Sequence, residues 1–265
     1  MVKFNAKLIA MSLGLIAILK TEKITAQHAK TLFNNHHKWG VVIQYNVFDA
    51  ANITPTNNPN INYEIFKSKM FALGIAYNFY QYKNWNFKAE LQLQWFGNLE
   101  GLTILEPENI VPFNYEDLSR TEHDKTGYLP LTAEYVFLNT GSFSFSIGGG
   151  LGLTYYWHYD IEGSSGLAIN DVTLFEAYER TDYPLFYLSN HLQASIYLKR
   201  KSFMLQTSLI YKKSYTSFRT GTYEFKNLKV SPDVKGAFDQ SGDFLGISLT
   251  IYLKVIIVNS MLLQT

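Results

Sequence analysis

Residues 86–95 read Asn-Phe-Lys-Ala-Glu-Leu-Gln-Leu-Gln-Trp. Apolar side chains occupy every second position of this stretch, and mostly lysine, glutamate and glutamine occupy the positions between them. A period of two is typical of a β-strand with one apolar and one polar face. A helix would place Lys88 on the same stripe as Leu91 and Trp95, which is not an amphipathic arrangement. The stretch therefore predicts a strand.

The same alternation recurs along the chain and predicts eight strands. They cover residues 39–48, 67–80, 85–96, 126–138, 142–159, 183–199, 203–215 and 243–254. The connections between them alternate strictly between long and short, and no internal repeat or domain linker interrupts them. Pro130 falls inside the fourth strand, where it removes one ladder hydrogen bond and predicts a local irregularity or bulge.

Alternation alone does not tell which face of the strands is buried. A soluble exported barrel of the lipocalin type would bury the apolar face, whereas a membrane barrel turns that face towards lipid. Alternating long and short connections are typical of membrane barrels, with long loops outside and short turns on the periplasmic side. The polar parity is also rich in Gly, Ser, Thr and Gln, which suit a narrow lumen.

Aromatic residues near the strand ends favour the membrane barrel as well. Trp39 and Trp85 fall near predicted periplasmic ends, and Trp95 and Trp157 near external ends, where membrane-interface aromatics are expected. The predicted fold is all-β, an antiparallel up-and-down transmembrane β-barrel of eight strands with four long external loops and short periplasmic turns. The alternative is ten strands, with further strands hidden in long loops, for example residues 172–178 or 223–228.

Composition excludes several classes of function. The chain has no cysteine, which excludes a disulfide scaffold, a cysteine-ligated metal site, a cysteine nucleophile and a lipid-anchored lipoprotein. The formal net charge of +1 gives no electrostatic basis for nucleic-acid binding. Charged residues make up 17% of the chain, below the roughly 25% of an average soluble domain.

Residues 1–26 have the features of a cleaved secretory signal peptide. Lys3 and Lys7 precede the apolar run 8–19, which is shorter than the roughly 20 residues of a membrane-spanning helix, and cleavage is expected before Gln27. Residues 27–38 then form an N-terminal periplasmic segment, residues 39–254 the barrel and residues 255–265 a C-terminal tail. We expect the outer membrane of a Gram-negative bacterium as the location.

With these features, residues 39–254 resemble the small outer-membrane barrels of the OmpA transmembrane-domain and OmpX type, and also the PorT-like "outer membrane protein beta-barrel" family. The resemblance implies an integral, porin-like or OmpA-like outer-membrane protein. It is architectural, because no family motif fixes individual positions. The tail after Lys254 departs from barrels whose last strand ends the chain at an aromatic residue.

Five ionisable residues fall on the expected lumen face: Lys88, Glu90, Glu134, His191 and Lys212. Glu90 and Glu134 are at similar heights above their turns, and Lys88 is the nearest cation. The interpretation is a hydrogen-bonded plug in a barrel too narrow to conduct. A gated proton or ion path and a hydrolytic carboxylate pair remain alternatives. No cofactor or metal site is predicted.

Two histidine-containing stretches are also candidates for chemistry. Ser189 and His191 share the inward parity and raise the possibility of a lipid hydrolase, although inward-facing residues fit poorly with a substrate in the outer leaflet. His28, His36 and His37 precede the first strand and are interpreted as a solvated segment rather than metal ligands.

The external loops carry the main functional hypothesis, because binding residues are commonly found on loops held by a rigid scaffold. Loop 97–125 is acidic and loop 216–241 is basic, so they are candidates to bind divalent cations or each other, or to be solvated near lipid headgroups. We expect a non-enzymatic, monomeric barrel with a structural, adhesive or partner-binding role. Its expected partners are outer-membrane lipids and lipopolysaccharide, and another envelope protein or an extracellular ligand. A small-solute pore and a lipid-modifying enzyme are the alternatives.

Overall fold

The computed structural model describes residues 36–58, 60–97, 100–105, 124–156, 164–169, 171–179, 186–217, 219–228 and 232–254. In chain order the strands are β1 (His36–Phe48), β2 (Asn52–Ile53), β3 (Ile61–Ile65), β4 (Lys69–Tyr82), β5 (Trp85–Gly97), β6 (Glu100–Ile104), β7 (Asp124–Thr140), β8 (Phe143–Tyr156), β9 (Ser164–Ile169), β10 (Val172–Glu179), β11 (Phe186–Lys199), β12 (Phe203–Ser214), β13 (Arg219–Phe225), β14 (Val234–Gln240) and β15 (Phe244–Lys254). Within these ranges, no helix is long and apolar enough to cross a membrane.

The eight long strands form a closed barrel. Their order around the barrel is β1, β15, β12, β11, β8, β7, β5 and β4, with β4 paired to β1, and every pairing is antiparallel. The predicted eight-stranded barrel is confirmed. The ten-stranded alternative is wrong: β10 and β13 do form in the segments suggested for it, but they pair with each other outside the barrel.

Short turns fix the register of neighbouring strands. Lys83 and Asn84 connect β4 to β5, and the pair Tyr82–Trp85 closes the turn. Lys83 has a φ of 52°, the left-handed conformation that two-residue hairpin turns require. The pairing shifts by one residue at Phe79 in β4, where Phe79 and Tyr80 are both exposed, so the parity seen in the sequence is kept from Lys69 to Asn78 and changes close to the turn.

The irregularity expected at Pro130 is an interruption of the ladder. Pairing between β5 and β7 stops between the pairs Ala89–Leu131 and Gln92–Tyr128 and resumes in the same register. The bulge in β7 lies closer to its turn, in its pairing with β8. Proline therefore removes hydrogen bonds locally without moving the strand faces.

The remaining strands form a second unit, which we call the cap, at the barrel end that carries the long connections. It contains a five-stranded sheet in the order β2, β14, β13, β10, β9 and a two-stranded sheet of β3 and β6. The two sheets share one buried core, formed by Ile61, Tyr63, Ile65, Leu102, Ile104, Leu174, Phe175, Ala177, Tyr223, Phe225 and Phe238. The long connections are thus partly folded.

The barrel strands expose apolar side chains and bury polar ones. Leu91 and Leu209 are 57% and 52% exposed, whereas Gln92 and Ser208 are almost completely buried. The alternation runs along the whole of β11 as far as Tyr197. A soluble barrel with an apolar interior is therefore ruled out, and the outer face matches hydrocarbon instead of water.

Candidate functional site: the barrel lumen and the cap

Side chains fill the lumen in two apolar clusters and a polar network. One apolar cluster contains Val42, Ala76, Val136, Tyr197, Met204 and Tyr252. A second apolar cluster, near the cap, contains Phe48, Met70, Tyr128, Ile210 and Phe244. The other inward positions carry mainly asparagine, glutamine, serine, threonine and charged residues, and some of them, such as Asn78 and Asn86, lie nearer the short turns than Val42 does.

The polar network of the lumen contains a buried triad of charges. The Lys88 ammonium lies 2.6 Å from a carboxylate oxygen of Glu90 and 3.4 Å from one of Glu134. All three side chains are at most 4% exposed. Glu134 of β7 pairs with Asn86 of β5, so Lys88 lies between Glu90 and Glu134 along the strands, and one cation separates two carboxylates that would otherwise repel each other.

Hydrogen bonds satisfy the two carboxylates of the triad further. Gln92 donates to Glu90 over 2.6 Å. Glu134 accepts from Gln206 over 3.0 Å, and also from the Gln193 amide and the Tyr197 hydroxyl. Buried charges are tolerated when they are paired and hydrogen-bonded, and such networks hold their members in one arrangement.

The other two predicted lumen residues lie apart from the triad. His191 Nε2 is 2.9 Å from the Thr132 hydroxyl. Lys212 donates to the Thr154 hydroxyl over 3.2 Å, and its ammonium lies 4.9 Å and 5.3 Å from the ring centroids of Tyr128 and Phe244. The structure thus brings together three of the five predicted residues. It holds Lys212 against the apolar cluster near the cap.

The serine and histidine of a lipid hydrolase are not coupled. The Ser189 hydroxyl donates to the Gly152 carbonyl over 3.2 Å, whereas His191 contacts Thr132. Both side chains are buried in the lumen. A serine nucleophile needs a base within hydrogen-bonding reach, and this arrangement does not provide one.

A small cavity lies in the lumen near the cap. It has a volume of about 20 Å³ and is lined by residues that include Gln94, Thr154, Tyr187 and Lys212. This is room for about one water molecule. An eight-stranded barrel leaves an interior just wide enough to be filled by side chains, which is the arrangement seen here.

A buried ion pair joins the two sheets of the cap. Arg219 donates to Glu100 over 2.6 Å, and the Tyr63 hydroxyl donates to the other Glu100 oxygen over 3.0 Å. The Arg219 guanidinium also lies 5.5 Å from the Phe238 ring centroid. The acidic and basic connections therefore contact each other here. The contacts between these residues were not predicted from the sequence, although each residue lies on the inward parity of its strand.

The outer face of the five-stranded sheet carries an open groove of about 710 Å³, lined by residues that include Tyr178, Thr220, Thr222 and Asp239. Beside it, Lys226 donates to Glu176 over 2.5 Å, and the Tyr178 hydroxyl donates to the same carboxylate. These two hydrogen bonds, chiefly that from Lys226, lower the pKa of Glu176 below its ordinary value.

Metal ligands do not cluster in the part of the chain that the structure describes: no group of three or more His, Cys, Asp or Glu residues there could hold an ion. His28 lies outside the described residues, and the side chains of His36 and His37 are likewise not described.

Aromatic side chains ring the barrel at both ends. Near the turns, Trp39 stacks on Tyr77 with ring centroids 4.3 Å apart, and Trp85 packs on Tyr135 at 5.2 Å. Near the cap, Trp95 stacks on a neighbouring phenylalanine at 6.2 Å. Trp157 lies outside the described residues.

These aromatic rings bound an apolar belt of membrane height. The ten steps along β5 from Trp85 to Trp95 span about 33 Å, or roughly 25 Å across the membrane after a tilt of about 40°. Closure, inverted polarity and aromatic rings together define a class: this chain is an eight-stranded transmembrane β-barrel.

No protein-family model matches the chain, and no curated protein matches it either. Its structure is similar to that of the outer membrane protein OprG from Pseudomonas aeruginosa, with 11% identity over 83% of this chain and 97% of that one and a TM-score of 0.45. It is also similar to the outer membrane protein AlkL in lipid bilayers, with 14% identity over 88% and 97% of the two chains and a TM-score of 0.41. Likenesses this distant assign no function, and the barrel class rests on the strand pairing described above.

Proposed function

We propose that the protein is a non-enzymatic, integral outer-membrane barrel that anchors the cap outside the cell and presents it to a partner or extracellular ligand. The observation that carries the proposal is the cap itself. Connections that served only to join strands would not need a shared core of eleven buried side chains. Rigid presentation of a surface lowers the entropy lost on binding, which is a reason for loops of a binding protein to fold.

Two features of the barrel support an anchoring role over a pore. Two buried apolar clusters help to fill the lumen, and the charged triad is neutralised within itself apart from one carboxylate, whose oxygens accept several hydrogen bonds. The alternative of a small-solute pore would need a wider or mobile lumen. The alternative of a lipid-modifying enzyme would need a nucleophile near the lipid, whereas Ser189 is inside the barrel.

The proposal includes the finer expectations drawn from the sequence. These are export by a signal peptide over residues 1–26, a monomeric state, contact with lipopolysaccharide, and an OmpA-like or PorT-like affiliation. Lipid A mass spectra from cells that overexpress the protein address the enzymatic alternative. A spectrum identical to that of control cells is expected.

A cap-deletion experiment tests the proposed function. A strain that lacks the gene is complemented with the full chain or with a barrel in which the cap strands are replaced by short turns. Both chains should show heat-modifiable gel migration, which reports a folded barrel. We expect only the full chain to restore the wild-type phenotype. A cap-less barrel that restores it fully would show that the cap is dispensable and contradict the proposal.

A further inference from the structure

The turn end of the barrel carries a ring of positive charge, which we call the basic rim: Lys38, Lys83, Lys199, Arg200 and Lys201. Two of the three short turns and the start of β1 supply these residues. The segments of this end, residues 38–40, 79–86, 137–144 and 197–204, contain no aspartate or glutamate. The rim is therefore a charged patch of a single sign.

Acidic side chains lie elsewhere. Apart from Glu90 and Glu134 in the lumen, those that the structure describes are all in the cap or its connections: Asp49, Glu64, Glu100, Asp171, Glu176, Glu224, Asp233, Asp239 and Asp243. Within the described part of the chain, none of the ion pairs involves Lys38, Lys83 or Lys201. Among the described residues, these three lysines of the rim therefore have no acidic partner.

The rim lies at the height of a membrane surface. Lys38 is adjacent to Trp39, and Lys83 lies between the exposed rings of Tyr82 and Trp85. The Lys83 ammonium is 5.2 Å from the Tyr82 ring centroid. Tryptophan and tyrosine of such rings lie at the level of lipid headgroups, so the cations beside them are next to headgroup phosphates.

Local structure keeps part of the rim in place. Lys199 donates from its ammonium to Asn139 over 2.7 Å, and its backbone amide donates to Ser142 over 2.8 Å. The run from Lys199 to Lys201 thus begins from a residue that is fixed to the neighbouring turn. Lys199 and Lys201 are two positions apart and repel each other, which favours an anionic ligand at this place.

We propose that the basic rim binds the phosphate groups of anionic phospholipids, such as phosphatidylglycerol, in the leaflet that faces the short turns. Cationic side chains near an anionic bilayer surface are attracted to it, and the attraction decreases within a Debye length. The rim would select anionic lipids around one end of the barrel, and the acidic cap would be repelled from the same surface. The inference does not depend on what the cap binds.

The test uses purified full-length protein refolded in micelles. It is mixed with equal amounts of phosphatidylglycerol and phosphatidylcholine of matched chain length, and bound lipid is counted by native mass spectrometry. The rim triple K38Q/K83Q/K201Q is compared with a control triple, K67Q/K69Q/K125Q, which removes three exposed lysines from the other end of the barrel. Heat-modifiable migration verifies folding of each variant.

We expect the wild type to prefer phosphatidylglycerol, and each charge removed from the rim to reduce that preference by about fivefold at low salt. The control triple should keep the wild-type preference. If the rim triple does not fold, the single variants K83Q and K201Q should each show the fivefold reduction. Added salt should weaken the preference of the wild type.

Three results would overturn the proposal. One is equal binding of both lipids by the wild type, and another is the same loss in the control triple. The third concerns poly-glutamate as a soluble probe. If poly-glutamate binds the wild type and not the rim triple, while the lipid preference is unchanged in that triple, then the rim recognises an acidic macromolecule instead of lipid.

Discussion

Among the residues that the structure describes, Lys88 carries the only ammonium that contacts both buried carboxylates of the lumen, Glu90 and Glu134. Replacing it in K88M leaves two buried carboxylates without their cation. Loss of one partner from a buried ion pair typically costs about 3–5 kcal/mol. We expect K88M to lower the free energy of unfolding by this amount, measured by urea unfolding of the barrel refolded into lipid vesicles.

The matched control is K69M, which removes an exposed lysine at the cap end of β4 and should change the free energy of unfolding by less than about 0.5 kcal/mol. The double variant K88M/E90Q also removes one of the two unpaired negative charges, so it should recover part of the lost free energy of unfolding. Equal stability of K88M and K69M would contradict the account of the lumen as a network stabilised by this ion pair.

Gly150 shows why small residues occupy the inward parity of β8. A Cβ atom at this position would lie 1.8 Å from the backbone oxygen of Leu131 in β7, and backbone cannot move aside as a flexible side chain does. We expect G150A to cost more than the roughly 1–3 kcal/mol of ordinary overpacking. The fraction of protein with heat-modifiable migration after refolding measures this.

Gly141 provides the control, because a Cβ atom there would have no neighbour within 4 Å. G141A should refold like the wild type. A G150A variant that refolds equally well would mean that β7 and β8 are further apart than the structure has them. The sequence indicated a narrow lumen from the small residues of this parity, but the atom that requires Gly150 belongs to another strand.

Glu176 gives the cap a pH-dependent contact. Its pKa lies below the ordinary 4.5 because Lys226 and Tyr178 donate to the carboxylate. A lowered pKa means that the contact contributes stability above pH 4.5, and that this contribution is lost as pH falls through the lowered value. We expect K226M to raise the Glu176 pKa towards 4.5, observed in a carboxyl-carbon NMR titration. An unchanged titration would contradict this cause.

At the scale of elements, Phe175 connects strands of both sheets of the cap. It is fully buried, with its ring centroid 4.9 Å from that of Tyr63 in β3 and 5.0 Å from that of Phe225 in β13. Truncation of a buried phenylalanine costs about 3–5 kcal/mol. F175A should therefore loosen the cap, and limited proteolysis should cleave its strands faster.

The barrel should keep its heat-modifiable migration in F175A, because its strands do not take their hydrogen bonds from the cap core. V172A is the control on the same strand, since Val172 is exposed, and its cap should be cleaved at the wild-type rate. Equal cleavage of F175A and V172A would indicate that the cap strands do not pack as one core.

The strands of the barrel were predictable from the sequence and those of the cap mostly were not. A barrel strand such as β5 repeats its alternation over 13 residues, whereas β3 and β6 have only 5 each. Short runs give a weak periodic signal. The ion pair between Glu100 and Arg219 joins residues 119 positions apart, and no local pattern could connect them.

Within the lumen, the inward parity predicted that Lys88, Glu90 and Glu134 lie on neighbouring barrel strands and face inward. Counting residues above the turns predicted a similar height for the two carboxylates, but the register pairs Glu134 with Asn86, so Lys88 lies between them along the strands. The aromatic surroundings of Lys212 were only partly predictable. Phe244 lies on β15, which pairs with β12, and it is directly opposite Lys212. Tyr128 lies on β7, which does not pair with β12, so its proximity to Lys212 depends on the closed barrel.

The molecule as a whole uses one period for two opposite arrangements. In the barrel, apolar side chains at every second position face outward, as Leu91 does, whereas in the cap they face inward, as Ile61 and Tyr63 do in β3. The period of two is the same in both, so periodicity alone does not tell whether the apolar face of a strand meets lipid or a protein core. The barrel strands were assigned by their length, connections and terminal aromatics, features that the cap strands lack.

The packed lumen makes a prediction for the whole barrel. Two buried apolar clusters and a polar network fill the lumen, and the triad side chains in it are at most 4% exposed. Ions would have to pass between these packed side chains and leave most of their hydration shell, which is unfavourable by several kcal/mol. We expect the full-length protein in planar bilayers to give no stable conductance steps, as with detergent alone. Reproducible steps that change in amplitude in K88M would show that ions pass the triad, and they would favour the pore over the anchored cap.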